Sequence, residues 1–157
     1  MPVIHLVTFI AAPIEVCFDL ARSVDAHLSS AAVTNERAVA GVTSGLLSLG
    51  DEVTWEAVHF GVRQRLSSRI TELERPTHFT DEMVSGAFRR FRHDHDFSVV
   101  EGKTRMVDTF DFESPLGPLG RLADRLVLRR YMTTFLVRRN ESLRVMAETS
   151  HAPSLAV

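Results

Sequence analysis

Histidine, aspartate and a single cysteine are the residues of this chain that could hold a metal, move a proton or attack an electrophile. Histidine and aspartate are densest in RFRHDHDFSVV, Arg90 to Val100, where His93 and His95 stand one residue apart among Asp94 and Asp96. A His-x-His pair on a strand aims both imidazoles to one side, as a zinc site with three protein ligands and water needs. An imidazole steadied by a carboxylate would instead exchange protons near neutral pH. Cys17 belongs to a different pattern, Ile14, Cys17, Phe18, Ala21, whose i, i+3, i+4, i+7 spacing predicts a thiol packed on the apolar face of a helix. One cysteine allows no internal disulfide and no cysteine-based metal cluster.

Period-two alternation decides which of these groups share a side. Phe91, His93, His95, Phe97 and Val99 form one row, and Arg90, Arg92, Asp94 and Asp96 form the other. The acids adjacent to the histidines therefore point away from them, and partners must come from other strands. A turn at Glu101-Gly102-Lys103 sets Phe97 opposite Met106 and His95 opposite Asp108, within the row Thr104, Met106, Asp108, Phe110, Phe112. The row Phe79, Asp81, Met83, Ser85 brings Asp81 near His93. A turn at His59-Phe60-Gly61-Val62 pairs Glu56 with Arg65 and Glu52 with Arg69 on the outer face, and sends Val53, Trp55, Ala57 and His59 inward with Gln64, Leu66 and Ser68. His59, Asp81, His93, His95 and Asp108 thus project into an otherwise apolar interior. Buried imidazoles and carboxylates are costly unless paired or hydrated, so this pattern predicts a cavity with a polar patch.

The elements that must position these rows follow from the same periodicities. PVIHLVTFIAA predicts a strand, and Pro13 opens a helix through IEVCFDLAR, followed by a short helix through VDAHLSSAA. Residues 34–40 predict a strand and GVTSGLLSLGD a loop. Five period-two segments then run from Glu52 to about Ser114, and SPLGPLG breaks the pattern before a long helix ending near Glu148. Leu128, Met132, Phe135, Leu136, Leu143 and Met146 recur on one side of that helix, which is the obvious cover for the sheet's apolar face. The chain is one domain over residues 1–148, with 149–157 as a flexible tail.

A hydrophobic share of 45% with 24% charged residues is that of an ordinary globular protein. A net charge of −2 argues against a nucleic-acid partner held by bulk electrostatics. No leader-like segment and no apolar run of about eighteen residues is present, so a cytoplasmic protein with no membrane span is expected. Seven arginines against three acids between Arg121 and Glu148 make the C-terminal helix basic, which predicts a solvated face more readily than a docking surface.

In its element order the chain resembles the START/SRPBCC superfamily of helix-grip proteins, which includes polyketide cyclase/dehydrase-like, lipid-transfer and birch-pollen-allergen-like proteins. The resemblance rests on APIEVCFDLAR after the first strand, LGDEVTWEAVHFGVRQRLSSRIT, RPTHFTDEMVSGAFRRFRHDHDF, and TRMVDTFDFESPLGPLG leading into the last helix. It implies an α+β fold in which a curved seven-stranded antiparallel sheet wraps a long C-terminal helix, with two short helices between strands 1 and 2. It also implies a hydrophobic pocket whose mouth lies near the first helices and the Gly41–Gly50 loop. The superfamily has no universal catalytic triad, so no catalytic residue carries over.

Several readings stay open at this level. In the first, the cavity binds a hydrophobic small molecule such as a lipid, isoprenoid or polyketide-like compound. Trp55, Met83, Phe91, Phe97, Met106, Phe110, Met132 and Phe135 shape it, and His59, Gln64, Asp81, His93, His95 and Asp108 supply its polar anchors. In the second, His95 and Asp108 are the catalytic acid–base pair of a cyclase, dehydratase or hydrolase. A third places a metal on His93, His95 and either His59 or an aspartate, and a fourth makes Arg129, Arg130, Arg138 and Arg139 a face for a partner or for a homodimer. The leading reading needs neither metal nor cofactor.

Overall fold

The computed structural model describes residues 2–31, 34–115, 117–123 and 127–151. Strand β1 (Val3–Ile10) leads into helices α1 (Ile14–Ala21) and α2 (Val24–Ser30), then β2 (Arg37–Gly41), β3 (Glu52–His59), β4 (Val62–Glu74), β5 (His78–Ser85), β6 (Arg90–Val100) and β7 (Lys103–Glu113). Helices α3 (Gly117–Ala123) and α4 (Arg129–His151) follow. The helix expected after SPLGPLG is thus described as two stretches, with 124–126 outside the described residues. Helix α4 runs to His151, three residues beyond the expected end, and the remainder of the expected tail, 152–157, is also outside them.

Local chemistry accounts for the helix starts. Pro13 precedes α1 with φ −59°, and the predicted stripe buries Cys17, Phe18 and Ala21. Ser23 opens α2, its Oγ accepting from the Ala26 amide at 3.2 Å. Two hairpins hold the registers the site depends on. Phe60 (φ 52°) and Gly61 (φ 73°) turn β3 into β4, and Glu101 (φ 50°) and Gly102 (φ 75°) turn β6 into β7. Two consecutive left-handed residues match the right-handed twist of the flanking strands. The expected pairs are present: Glu56 with Arg65, Glu52 with Arg69, His95 with Asp108, Phe97 with Met106, and Asp81 with His93.

The seven strands form one curved antiparallel sheet in the order β1-β7-β6-β5-β4-β3-β2. Near the outer end of β2 the register shifts between Ala38 and Ala40, and Gly41 follows with φ 72°. A Cβ on Gly41 would sit 2.2 Å from the Glu52 carbonyl oxygen, so only glycine permits this approach. Helix α4 packs against β1, α1 and α2. Phe18, Phe79, Phe97 and Met106 centre one core cluster under α1, reaching Leu143 and Ala147 of α4. Phe91, Phe110, Phe112, Ile4 and Leu136 centre a second, against which Leu128, Met132 and Phe135 pack. No described helix is long and apolar enough to cross a membrane.

Candidate functional site

Adjacent strands bring four ionisable side chains together, and α4 adds two polar ones. His93 Nε2 lies 3.0 Å from Asp108 Oδ1, and His95 Nε2 lies 3.0 Å from Asp81 Oδ1. The hydrogen bonds therefore run diagonally, although the backbone register sets His95 opposite Asp108. His95 Nδ1 also lies 3.0 Å from Asp108 Oδ1, but off the line a hydrogen bond needs, so this is a close charge contact. The imidazoles are 3.8 Å apart between ring centres, and Phe79 stacks on His95 at 4.2 Å. From α4, Asn140 Nδ2 donates to Asp108 Oδ2 at 2.6 Å, and Arg139 Nη1 stands 3.8 Å from Asp108 Oδ1.

Burial works against every charge in this cluster, so the proton distribution follows from the contacts. Burial alone would raise the Asp108 carboxyl, but His93 and His95 outweigh it and hold it well below its ordinary value. Asp81 is lowered in the same way, with His95 the leading partner against burial. Burial also opposes the charge on His95, yet Asp108 and Asp81 offset this and raise its pKa. His93 moves the other way, lowered by burial and then by the charge on His95. Of the two, His95 is therefore the one that takes up a proton first, and beside the ionised Asp108 the Nε2 of a neutral His93 is the donor.

A cavity of about 350 Å³ lies between the sheet and α4. Of the predicted pocket residues, Trp55, His59, Gln64, Asp81, Phe91, His93, Phe110, Met132 and Phe135 line it. His95, Phe97, Met106 and Asp108 do not: they are packed in the interior behind the wall, His95 being 1% exposed and Asp108 fully enclosed. Met83 packs against the second core cluster, outside the lining. The group facing the cavity is therefore His93, with Asp108 behind it, where the sequence pointed to His95. His93 Nδ1 makes no hydrogen bond among the described residues; Asp81 Oδ1 is 3.9 Å from it.

Asp81, His93 and His95 offer donor atoms within 4.8 Å of one another, the spacing a metal reading calls for. Two of those donors, His95 Nε2 and Asp81 Oδ1, are however spent on each other, and the Arg139 cation stands beside the same cluster. His59, the other suggested ligand, is bound elsewhere, with Nδ1 2.5 Å from Tyr131 Oη. Burial lowers its pKa and keeps it neutral.

Several wall residues were not visible as such in the sequence. His27 stacks on Trp55 at 4.1 Å and bonds Glu36 Oε1 through Nε2 at 2.9 Å. Tyr131 and Arg139 line the cavity one helical turn to either side of the predicted Phe135. Arg139, assigned above to an exposed basic face, is instead buried and donates through Nη2 to the Ala21 carbonyl at 3.1 Å. Its signal was present: Arg139 and Asn140 fall between Leu136 and Leu143 on the apolar stripe, where a solvated side chain cannot sit.

The family model described as polyketide cyclase / dehydrase and lipid transport matches residues 1–148. Among solved structures, TTHA0849 from Thermus thermophilus is 19% identical with a TM-score of 0.78, over 96% of this chain and 100% of that one. Zhui aromatase/cyclase from Streptomyces sp. R1128 is 13% identical with a TM-score of 0.74, over 99% of both chains. A START superfamily protein from Mycobacterium smegmatis is 12% identical with a TM-score of 0.71, over 94% of this chain and 98% of that one. At these identities the likeness is one of fold. None of the curated proteins compared with the chain matches it.

Proposed function

The chain belongs to the polyketide cyclase / dehydrase and lipid transport family, and on that premise we propose that it binds a hydrophobic small molecule between its sheet and α4. One observation carries this reading: a cavity of about 350 Å³ walled by Trp55, Phe91, Phe110, Met132 and Phe135, with His93, Asp81 and Arg139 as its polar patch. Apolar walls with a few convergent polar groups are what small-molecule sites use to combine affinity with orientation. The ligand class is a lipid, an isoprenoid or a polyketide-like compound, and the setting is cytoplasmic. A net charge of −2 favours such a partner over nucleic acid.

A second reading has its own support. Neutral His93 faces the cavity with its Nε2–H fixed by Asp108, which leaves Nδ1 as an acceptor for a proton from a bound molecule. The pair would then serve a dehydration, as the family description includes, or a cyclisation, as the aromatase/cyclase among the structural relatives is named for. Relative to the sequence-level expectation, the proton-accepting histidine moves from His95 to His93.

The test is what the cavity holds. Native mass spectrometry of protein purified from cells should show an adduct of a few hundred daltons that extracts into organic solvent. Ala57 is buried in the cavity wall, so Ala57→Phe fills space the ligand needs. That variant should lose the adduct while its melting temperature stays within about 5 °C of wild type, an overpacking cost of about 1 kcal/mol. An adduct retained in full by Ala57→Phe would sink the cavity reading.

A further inference from the structure

Arg139 is the one buried cation in the cavity wall whose donors are not all used among the described residues. Its side chain is only 9% exposed. Nη2 is bound to the Ala21 carbonyl, but Nη1 has no hydrogen-bond partner and no access to water. Asp108 Oδ1, at 3.8 Å, is too far to accept from it and already accepts from His93. An unmet guanidinium N–H in the wall is a standing penalty, and a small rotation of the side chain, which lines the cavity, relieves it by turning Nη1 to an acceptor held there.

The charges around Nη1 decide which acceptor that is. Asp108 from β7 stands 3.8 Å from it, Asp81 from β5 and His95 from β6 feel the guanidinium charge, His93 from β6 is joined to them through Asp108, and Asn140 is the next residue on α4. Asp81 and Asp108 are both held below the ordinary carboxyl range by the histidines beside them, so two carboxylates already answer the Arg139 cation and whatever positive charge His95 takes up. A carboxylate entering here adds a third negative charge to a buried set with no spare positive one, whereas a ketone, ester or amide oxygen adds none.

Resting on the cavity reading above, we propose that Arg139 is the polar anchor of the site and that the ligand presents to its Nη1 the oxygen of an uncharged carbonyl group. Nothing in the apolar wall distinguishes one hydrophobic body from another, so this contact sets both the orientation of the ligand and the preference for a carbonyl over a hydrocarbon or an acid.

Three fluorescent probes of nearly one shape test this: 2-acetylnaphthalene, 2-ethylnaphthalene and 2-naphthoate, titrated at pH 7.5. The wild type should bind the ketone about tenfold more tightly than the hydrocarbon, the gain expected from one hydrogen bond to a charged donor. The naphthoate should bind more weakly than the ketone. In Arg139→Met the ketone-to-hydrocarbon ratio should fall to near one while the hydrocarbon still binds, which shows that the cavity is intact. If that variant does not fold, Arg139→Lys keeps the charge but loses the planar fork that reaches both Ala21 and the ligand, and the ratio should fall severalfold. Equal binding of ketone and hydrocarbon by the wild type overturns the anchor, as does a ratio unchanged in the variants. Naphthoate bound more tightly than ketone overturns the uncharged class. Failure of all three probes to bind would instead overturn the cavity reading itself.

Discussion

His93 and His95 are two residues apart on one strand, yet they hold their protons differently because of what lies behind each. His95 is bonded to Asp81 and pressed against Asp108, while His93 must share Asp108 and stand next to a cation. This opposition gives folding stability a defined pH dependence. A raised pKa on His95 means that its stabilisation is complete below the ordinary value of 6.5 and is lost as pH rises through the folded value. A lowered pKa on His93 means that, below 6.5, the unfolded chain takes up a proton the fold refuses, so stability falls as pH drops toward the folded value. The expected profile from these two groups peaks near pH 6.5, measured as the urea midpoint between pH 5 and pH 8. His95→Gln should flatten the alkaline limb and leave a profile that only rises with pH. A wild-type midpoint that is level across this range would show that the pair does not divide its proton in this way.

At the scale of elements, the registers of β3–β4 and β6–β7 were legible because two-residue turns and opposite-charge pairs each admit one alignment. Glu52 and Glu56 could face Arg69 and Arg65 only if Phe60-Gly61 made the turn, and they do. The diagonal choice of hydrogen bonds was not legible. Alternation says which face a side chain takes, but imidazole reach along a strand is comparable with the spacing of same-face neighbours, so His95 could close on Asp81 as well as on Asp108. Nor could alternation separate the cavity wall from the packed layer behind it: Phe91 and Phe97 share a row, yet one lines the void and the other is packed beneath α1. Depth depends on how the sheet curves, and the edge strand β2 carries a register shift and a left-handed glycine, the devices that bend a strand. Gly41→Ala tests it there. A Cβ 2.2 Å from the Glu52 oxygen, at a φ of 72°, forces β2 to shift, so the variant should lose at least about 2 kcal/mol by urea denaturation. Wild-type stability in that variant would show that the β2 edge yields freely.

At the scale of the whole molecule, the sheet is a meander from β2 to β7 with one pairing that is not local. Every neighbouring pair from β2 to β7 is consecutive in sequence, but β1 closes on β7, with Val3 beside Asp111 and Ile10 beside Thr104. During synthesis β1 is the first of the seven strands to leave the ribosome and finds its partner last. The chain grows by roughly a hundred residues in between, on the order of ten seconds at the usual rate of translation. Throughout that interval Ile4 and Ile10, both buried in the finished fold, are exposed on a strand with free edges, the state in which chaperones and stray strands compete for it. The same order should survive in refolding from urea, since the local hairpins close at lower entropic cost than a pairing over a hundred residues. Ile4→Ala should therefore express its loss of about 2–5 kcal/mol almost entirely as faster unfolding, with the refolding rate little changed. A refolding rate that falls in proportion would instead make β1 part of the nucleus. On the expected outcome, the first strand made is the last to be committed, and the fold spends its youngest seconds as a sheet without its first edge.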